Sequence, residues 1–265
     1  MRYKTAFFMA WGNFFAVPCP CKLWDDKLRR LQLIFFPVIG IIMGLIWYAI
    51  YWLMFQLGLP IPIQAGLLMA YPFLISGFIH LDGFMDCNDA ILSRRSLEER
   101  QRILKDSHVG SFAVIAVCLL FIMFYSSMWA ALDQGNIQAF GTLILIPFVS
   151  RACSARAVLS NQPIGHSQYL ESYNKTENKK YIVLLNLMLL IAILLPIVYQ
   201  VVLFFGTSGT NESYIVSCLS VVAVIGVSFM ATSYGRKQLG GMSGDIAGYG
   251  LTLAELAGVL VVAIL

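Results

Sequence analysis

Seven apolar stretches of this sequence are each long enough to cross a lipid bilayer as a helix, which takes about 20 residues. They lie at approximately Leu31–Leu57, Ile61–Ile79, Val109–Leu132, Ile137–Leu159, Tyr181–Phe205, Tyr214–Ser233 and Ile246–Leu265. Only 12% of the residues are charged, about half the share found in soluble domains. We therefore predict an all-α fold, a polytopic bundle of about seven transmembrane helices, as a single domain over residues 1–265.

The basic residues are distributed asymmetrically around these stretches. All 18 Lys and Arg residues lie before the first stretch, in every second loop after it, or in the half of the fourth stretch nearest those loops. Cytoplasmic loops of membrane proteins are enriched in Lys and Arg. We therefore predict that the N-terminus and the long loops are cytoplasmic and that the C-terminus lies outside. An even number of crossings stays open if the last helix is re-entrant.

Two cytoplasmic segments are predicted to carry short helices. In residues 1–30, the Phe-rich part Ala6–Val17 is predicted to form an interfacial or re-entrant helix. In residues 80–109, Ser96 is followed three residues later by Glu99, a capping-box pattern that predicts a short amphipathic helix. The six cysteines show neither zinc nor disulfide spacing and are expected to be free thiols.

Three carboxylates follow the second apolar stretch with helical spacing. Asp82, Asp86 and Asp89 are four and three residues apart, so on a helix they project from one face. Like charges repel at this spacing, and carboxylates near hydrocarbon are unfavourable, so a bound cation would stabilise them. Oxygen ligands favour magnesium or manganese over zinc. We predict a metal site here; the alternative is simple pairing with Arg94 and Arg95.

Two further segments carry acids next to predicted helix starts. Asp106 precedes the third apolar stretch, where its alternative role is a helix N-cap. Gly240, Gly241 and Gly244 precede Asp245 before the seventh stretch. Glycines allow close approach of a ligand, and free N–H groups at a helix start bind phosphate. We predict a diphosphate-binding loop; the alternative is tight helix packing with Asp245 as N-cap.

Three ionisable side chains lie within or beside the apolar stretches. Glu255 is a functional candidate because it lies inside an apolar helix; the alternative is a structural hydrogen bond to a neighbouring helix. Arg151 is predicted to clamp a phosphate with its planar donors, and snorkelling is the alternative. His80 is placed to donate to a carboxylate or a phosphate. Together these groups indicate metal-assisted displacement at phosphorus or at an activated carbon.

These motifs resemble those of the cobalamin synthase family, the adenosylcobinamide-GDP ribazoletransferases, over most of the chain. The segment from His80 to Asp89 is similar to the family's HLDG-x-x-D-x-x-D signature, and Lys105–Gly110 is similar to its KDS-x-x-G segment. Gly240–Gly248 is similar to the C-terminal GG-x-[TS]-GD-x-x-G segment. Arg151 matches an Arg of the fourth hydrophobic segment, whereas Thr252 stands where many members have Glu.

The resemblance implies a prokaryotic inner-membrane enzyme of vitamin B12 synthesis with its active site facing the cytoplasm. It would join the corrinoid adenosylcobinamide-GDP to α-ribazole or its 5′-phosphate, release GMP, and yield adenosylcobalamin or its 5′-phosphate. The implied site residues are Asp82, Asp86 and Asp89 as Mg2+ ligands, Asp82, Asp86, Asp106 and Asp245 in catalysis, and His80, Arg151, Gly240, Gly241, Gly244 and Glu255 in substrate binding. No nucleic-acid partner is expected, and homo-oligomerisation is left open.

Other function classes fit the acidic residues less well. CDP-alcohol phosphotransferases and intramembrane prenyltransferases also place Asp clusters and magnesium in helical bundles, but their motif spacings differ from those of this chain. An ion-coupled transporter would predict inverted repeats and charges near the midplane. Here most carboxylates lie at the cytoplasmic end and Glu255 is the only one deep in an apolar stretch, so an enzyme is predicted.

Overall fold

Helices account for nearly all of the regular structure in the computed structural model, which describes residues 1–135, 140–165, 167, 169–170, 173–206 and 213–265. Within these residues there are ten α-helices and no strand. They are α1 (Arg2–Phe14), α2 (Arg29–Gln56), α3 (Ile61–Ile75), α4 (Ile79–Leu92), α5 (Leu97–Ile103), α6 (Ser111–Asp133), α7 (Thr142–Ser160), α8 (Lys175–Gly206), α9 (Ser213–Leu239) and α10 (Gly244–Ile264). The predicted all-α class is confirmed.

Six helices of the described residues are long and apolar enough to cross a membrane, namely α2, α6, α7, α8, α9 and α10. The pair α3 and α4 makes a seventh if it is counted as one broken span. The chain is therefore a multi-pass membrane protein, as predicted. The predicted start of the fourth apolar stretch, Ile137, lies outside the described residues.

The second predicted crossing is broken rather than straight. Helix α3 ends at Ile75, α4 begins at Ile79, and the two axes differ by 89°. Gly77 and Phe78 between them have φ of 63° and 62°, the left-handed conformation that ends a helix. The uninterrupted helix predicted over Ile61–Ile79 is wrong at this point, because no proline marks the break. The bend places the acidic motif on a helix of its own.

Helices α7 and α10 form the centre of the bundle. In their most apolar windows, 72% of α7 and 67% of α10 are buried by other parts of the protein, against 22% of α8. Helix α10 packs against α4, α6, α7 and α9, while α2 packs mainly against α7. Polar groups on α7 and α10 are therefore shielded by protein, whereas most of α8 is left for lipid.

The basic helix ends and loops meet at one end of the bundle, here called the basic end. Arg100 of α5 hydrogen-bonds Gln238 at the end of α9, and Arg236 of α9 hydrogen-bonds Asn161 after α7. This end also includes the C-terminus of α4 and the N-termini of α6 and α10. It is where the three predicted motifs lie.

Both predicted short helices are present, although α1 begins at Arg2 and ends at Phe14 rather than spanning Ala6–Val17. The Ser96 hydroxyl accepts a hydrogen bond from the Glu99 amide at 3.3 Å and caps α5. Helix α1 packs against α2 and is not among the helices long enough to cross a membrane; its interfacial position stays a prediction. All six cysteines are free thiols, as expected.

Candidate functional site

The acidic motif forms most of helix α4. Asp82 is exposed, and Asp86 and Asp89 are half-buried on the same side of the helix. Among the described residues, no basic side chain forms an ion pair with any of the three, and Arg95 pairs instead with Glu99 at 3.2 Å. The alternative in which the arginines after α4 neutralise these acids is therefore wrong.

Helix α4 lies directly against the first turns of α10, and glycines from both motifs make this approach possible. A Cβ atom on Gly83 would lie 2.8 Å from the Cα and carbonyl oxygen of Asp245, and one on Gly248 would lie 3.0 Å from the carbonyl oxygen of His80. A side chain at Gly83 would force the helices apart. The HLDG and GD-x-x-G segments thus form one interface.

This interface assembles four acids, which we call the carboxylate cluster: Asp82, Asp86, Asp89 and Asp245. The Asp86 carboxyl lies within electrostatic range of the other three. Three acids come from α4 and the fourth from a segment more than 150 residues later. The fold therefore brings the two motifs together, while the chemical roles of the acids stay predictions.

The first turn of α10 is capped by Ser243 and not by Asp245. The Ser243 hydroxyl accepts a hydrogen bond from the Ile246 amide at 3.3 Å and donates one to the Asp245 carboxylate at 3.2 Å. The N-cap alternative for Asp245 is therefore wrong. Its carboxylate lies in the first turn, where the partial positive charge of the helix N-terminus stabilises an anion.

The KDS-x-x-G segment reaches the cluster through Gly110 and not through Asp106. Gly110 caps α6 and lies so close to Asp89 that a Cβ atom would overlap its carboxylate. Asp106 instead accepts hydrogen bonds from the backbone amide of His108 at 3.0 Å and its ring Nδ1 at 2.6 Å. These bonds hold the pKa of the Asp106 carboxyl below its usual value. Asp106 is not the N-cap of α6, because Gly110 occupies that position. A catalytic role for Asp106 stays a prediction.

Arg151 and Glu255 form a buried ion pair between α7 and α10. The Arg151 Nη1 and Glu255 Oε1 atoms are 2.5 Å apart, with side-chain exposures of 0% and 4%. The Ser150 hydroxyl also donates to Glu255 at 3.0 Å. The snorkelling alternative for Arg151 is wrong, because its charge is compensated inside the bundle. Glu255 bonds to the neighbouring helix α7, which is the structural alternative given for this residue.

His80 lies near this pair, and both His80 and Arg151 lie beside the ring of Phe36. The Phe36 ring centroid is 5.5 Å from the His80 ring and 5.7 Å from Cζ of Arg151. In the part of the chain that the structure describes, Nε2 of His80 and both Nε and Nη2 of Arg151 are buried without a hydrogen-bond partner. Both side chains are shielded from solvent. Their phosphate contacts stay predictions.

Thr252, the departure from the family pattern, has a structural partner. Its hydroxyl donates to the carbonyl oxygen of His80 at 3.2 Å. The bond joins α10 to the start of α4, one turn beyond the close approach at Gly248. It therefore helps to hold the two acidic motifs in register.

The glycine loop is held by the segment that follows α7. The Ile164 amide donates to the Met242 carbonyl at 3.0 Å, and the Met242 amide donates to the Gln162 carbonyl at 2.9 Å. Gly240 has φ of 82°, which favours glycine, and a Cβ atom on Gly241 would lie 2.5 Å from the Ile164 side chain. These glycines line a cavity of about 480 Å³. Gly244 begins α10.

Tyr169, which no sequence pattern marks, interacts electrostatically with both Asp245 and Arg29. Burial raises the pKa of its hydroxyl to about 12, so the side chain is neutral at physiological pH. Tyrosine in a loop carries no pattern that marks it as a site residue. Only the return of this loop to the start of α10 brings it near the cluster.

The donor atoms of the carboxylate cluster are all oxygens, the type that Mg2+ prefers. Among the described residues, no three His, Cys, Asp or Glu side chains are placed close enough together to hold one metal ion. The acids nevertheless repel one another around Asp86, and a cation would relieve that repulsion. The chemistry of the donor set therefore fits Mg2+, and the ion itself stays a prediction.

The fold and the site define a multi-pass helical membrane protein with a carboxylate cluster at the basic end of its helices. Residues 6–263 match the family model of cobalamin-5-phosphate synthase, and the chain belongs to that family. The family predicted from the three motifs is thereby confirmed.

Curated relatives agree with this assignment over nearly the whole chain. An adenosylcobinamide-GDP ribazoletransferase of Clostridium perfringens (strain 13 / Type A) is 36% identical over 99% of both chains. The protein of the same name from Clostridium botulinum (strain Alaska E43 / Type E3) is 33% identical over 94% of this chain and 93% of its own. That of Lachnoclostridium phytofermentans is 29% identical over 99% and 95%. No solved structure matches the chain.

Proposed function

We propose that this protein is an adenosylcobinamide-GDP ribazoletransferase, which joins adenosylcobinamide-GDP to α-ribazole or its 5′-phosphate. The observation that carries the proposal is the carboxylate cluster, which is assembled from the family's motifs at the basic end of the bundle. The names of the full-length relatives support the same activity. They give no support to the alternative phosphotransferase, prenyltransferase or transporter.

In the proposed reaction, a ribose hydroxyl of α-ribazole attacks the phosphorus that is bonded to cobinamide. A new P–O bond forms, and the bond from that phosphorus to the bridging oxygen breaks. GMP departs with the electron pair, and the hydroxyl proton passes to a carboxylate. Asp245 is better placed than Asp106 to accept this proton, because Asp245 lies in the cluster while Asp106 is hydrogen-bonded to His108.

Asp82, Asp86 and Asp89 are the residues that would hold Mg2+. Bound there, the ion would supply charge stabilisation for the phosphoryl oxygens and the departing phosphate. The protein's own contribution is to fix the acids on one helix face, with Asp89 against the N-terminus of α6 and Asp245 in the first turn of α10. Such fixed positions orient the reacting groups before the bond changes begin.

We further propose that the cluster faces the cytoplasm of a prokaryotic inner membrane. The basic end carries the cluster, and basic segments favour the cytoplasmic side. Right-side-out and inverted vesicles separate the alternatives, because adenosylcobinamide-GDP is too large and charged to cross a bilayer. We expect turnover in intact inverted vesicles only; turnover restricted to right-side-out vesicles would reverse the orientation.

The activity test uses the purified protein in nanodiscs with adenosylcobinamide-GDP, α-ribazole and magnesium. We expect equimolar release of GMP and formation of a cobalamin product. Removal of divalent cations with EDTA should stop turnover, and added magnesium should restore it. A preparation that is folded but forms no product, beside an active relative such as the Clostridium perfringens protein, would reject the proposed function.

A further inference from the structure

The cavity beside the glycine loop has a composition that distinguishes it from the rest of the basic end. It measures about 480 Å³ and lies between the end of α9, helix α5 and the segment after α7. The lining residues that matter here are Gln101, Gln162, Arg236, Lys237, Gly240 and Gly241. Its volume falls within the range of small-molecule sites, about 300–1,000 Å³.

The charge of the cavity favours an anion. Arg236 and Lys237 are cationic, and the lining includes no Asp or Glu. Arg236 donates one hydrogen bond to Asn161, while Lys237 makes no hydrogen bond or ion pair with any residue that the structure describes. A flexible ammonium group without a protein partner, beside a second cation, is suited to a phosphate.

The cavity also offers neutral groups that recognise more than charge. The side chains of Gln101 and Gln162 carry amide donors and acceptors, and the Gln101 amide already donates to the Leu239 carbonyl at 2.8 Å. Gly240 and Gly241 expose backbone to the cavity. Carboxamides of this kind pair with the edges of bases, which present donors and acceptors side by side.

The cavity is adjacent to the carboxylate cluster along the chain. Gly241 lines it and Asp245 belongs to the cluster, four residues later, so their Cα atoms are at most about 14 Å apart. In adenosylcobinamide-GDP, the guanosine is joined to the reacting phosphorus through one further phosphate. One substrate molecule can therefore occupy both places.

We propose that this cavity binds the GMP portion of the nucleotide-activated substrate, with its phosphate on Lys237 and Arg236 and its guanine at Gln101 and Gln162. The inference rests on the proposed function and specifies its geometry. The reacting phosphorus lies at the cluster, and the leaving nucleotide lies beyond the glycine loop. GMP then departs into solvent at the basic end.

The test compares Lys237→Gln with Lys179→Gln, which removes an exposed lysine of α8 that does not line the cavity. Binding of GMP to each protein in nanodiscs is measured by calorimetry, and KM is measured separately for the two substrates. We expect Lys237→Gln to weaken the binding of GMP and to raise KM for adenosylcobinamide-GDP, each roughly tenfold, because one charge-assisted contact is lost. KM for α-ribazole should not change, and Lys237→Arg should restore GMP binding.

A second measurement uses the unaltered protein and so does not depend on the folding of a variant. Photo-crosslinking with 8-azido-GMP should label peptides that contain residues 162–165 or 236–241. Three results would overturn the inference. They are labelling of other peptides, an unchanged GMP affinity in Lys237→Gln, and a change of KM confined to α-ribazole 5′-phosphate. Each of these results is compatible with full catalytic turnover, so it would leave the proposed function standing.

Discussion

The carboxylate cluster and the Arg151–Glu255 pair hold charge inside the same bundle in opposite ways. In the pair, a guanidinium and a carboxylate are in contact at 2.5 Å and are shielded from solvent. In the cluster, like charges surround Asp86, and no Lys, Arg or His within the described chain pairs with the three acids of α4. The two charges of the pair stabilise each other, whereas like charges at one place repel and would be stabilised by a bound cation.

The largest effect is expected when the buried pair is broken. Glu255→Leu leaves the Arg151 guanidinium buried and unpaired, which should destabilise the protein by about 3–5 kcal/mol. The double variant Arg151→Met/Glu255→Leu should recover most of that loss, because both charges are then removed. Thermal unfolding in detergent measures the three proteins. Equal stability of the single and double variants would show that the two charges are not coupled.

The next effect concerns the cluster. Asp82→Asn removes one charge from an exposed position of α4, so we expect a normal unfolding temperature but a turnover reduced at least about 100-fold. Such a factor corresponds to about 2.7 kcal/mol in the activation barrier. Asp133→Asn, at the far end of α6, is the matched control and should retain activity. Wild-type turnover in Asp82→Asn would remove this residue from the mechanism.

A smaller effect is expected at the contact that joins the two acidic segments. Gly83→Ala places a methyl group 2.8 Å from the Asp245 backbone, and overpacking of this kind destabilises by about 1–3 kcal/mol. Turnover should fall as well, since Asp245 moves relative to α4. Gly226→Ala is the control, because nothing lies within 4 Å of its added Cβ atom. Equal behaviour of the two variants would contradict the close approach.

The smallest effect is expected at Thr252. Thr252→Val removes the hydrogen bond to the His80 carbonyl, which should lower stability by about 0.5–1.5 kcal/mol. Thr232→Val is a suitable comparison, because the Thr232 hydroxyl bonds carbonyls of its own helix. We expect a lower unfolding temperature for the first variant than for the second. The reverse order would assign the Thr252 bond no role in joining α4 to α10.

The spans, the capped helix α5 and the acidic face of α4 follow from the sequence, because each depends on local pattern. Apolar length predicts a membrane helix, the Ser96 and Glu99 spacing predicts a cap, and a D-x3-D-x2-D spacing predicts one helix face. The bend at Gly77 and Phe78 was not predictable in this way. Gly77 is a residue type common at helix ends, but a single glycine in an apolar stretch does not specify a break, and Phe78 carries no such signal.

The partners of Arg151, Glu255 and Asp245 could be identified only from the tertiary structure. Arg151 and Glu255 are each isolated charges in the sequence, and only the packing of α7 on α10 makes them an ion pair. In the same way, Asp245 resembles a helix cap until Ser243 is seen to fill that position. Pairing and capping depend on distances between segments, which composition and spacing do not specify.

Amino-acid pattern alone therefore gives an all-α membrane bundle, an acidic motif and a family. Tertiary structure brings α4, the start of α6 and the start of α10 together and opens the cavity beside the glycine loop. The physical reason is that hydrophobic length and helical periodicity are properties of one segment, whereas a site of like charges requires several segments to approach. Glycine allows the close approach, but the sequence does not show which segment a glycine contacts.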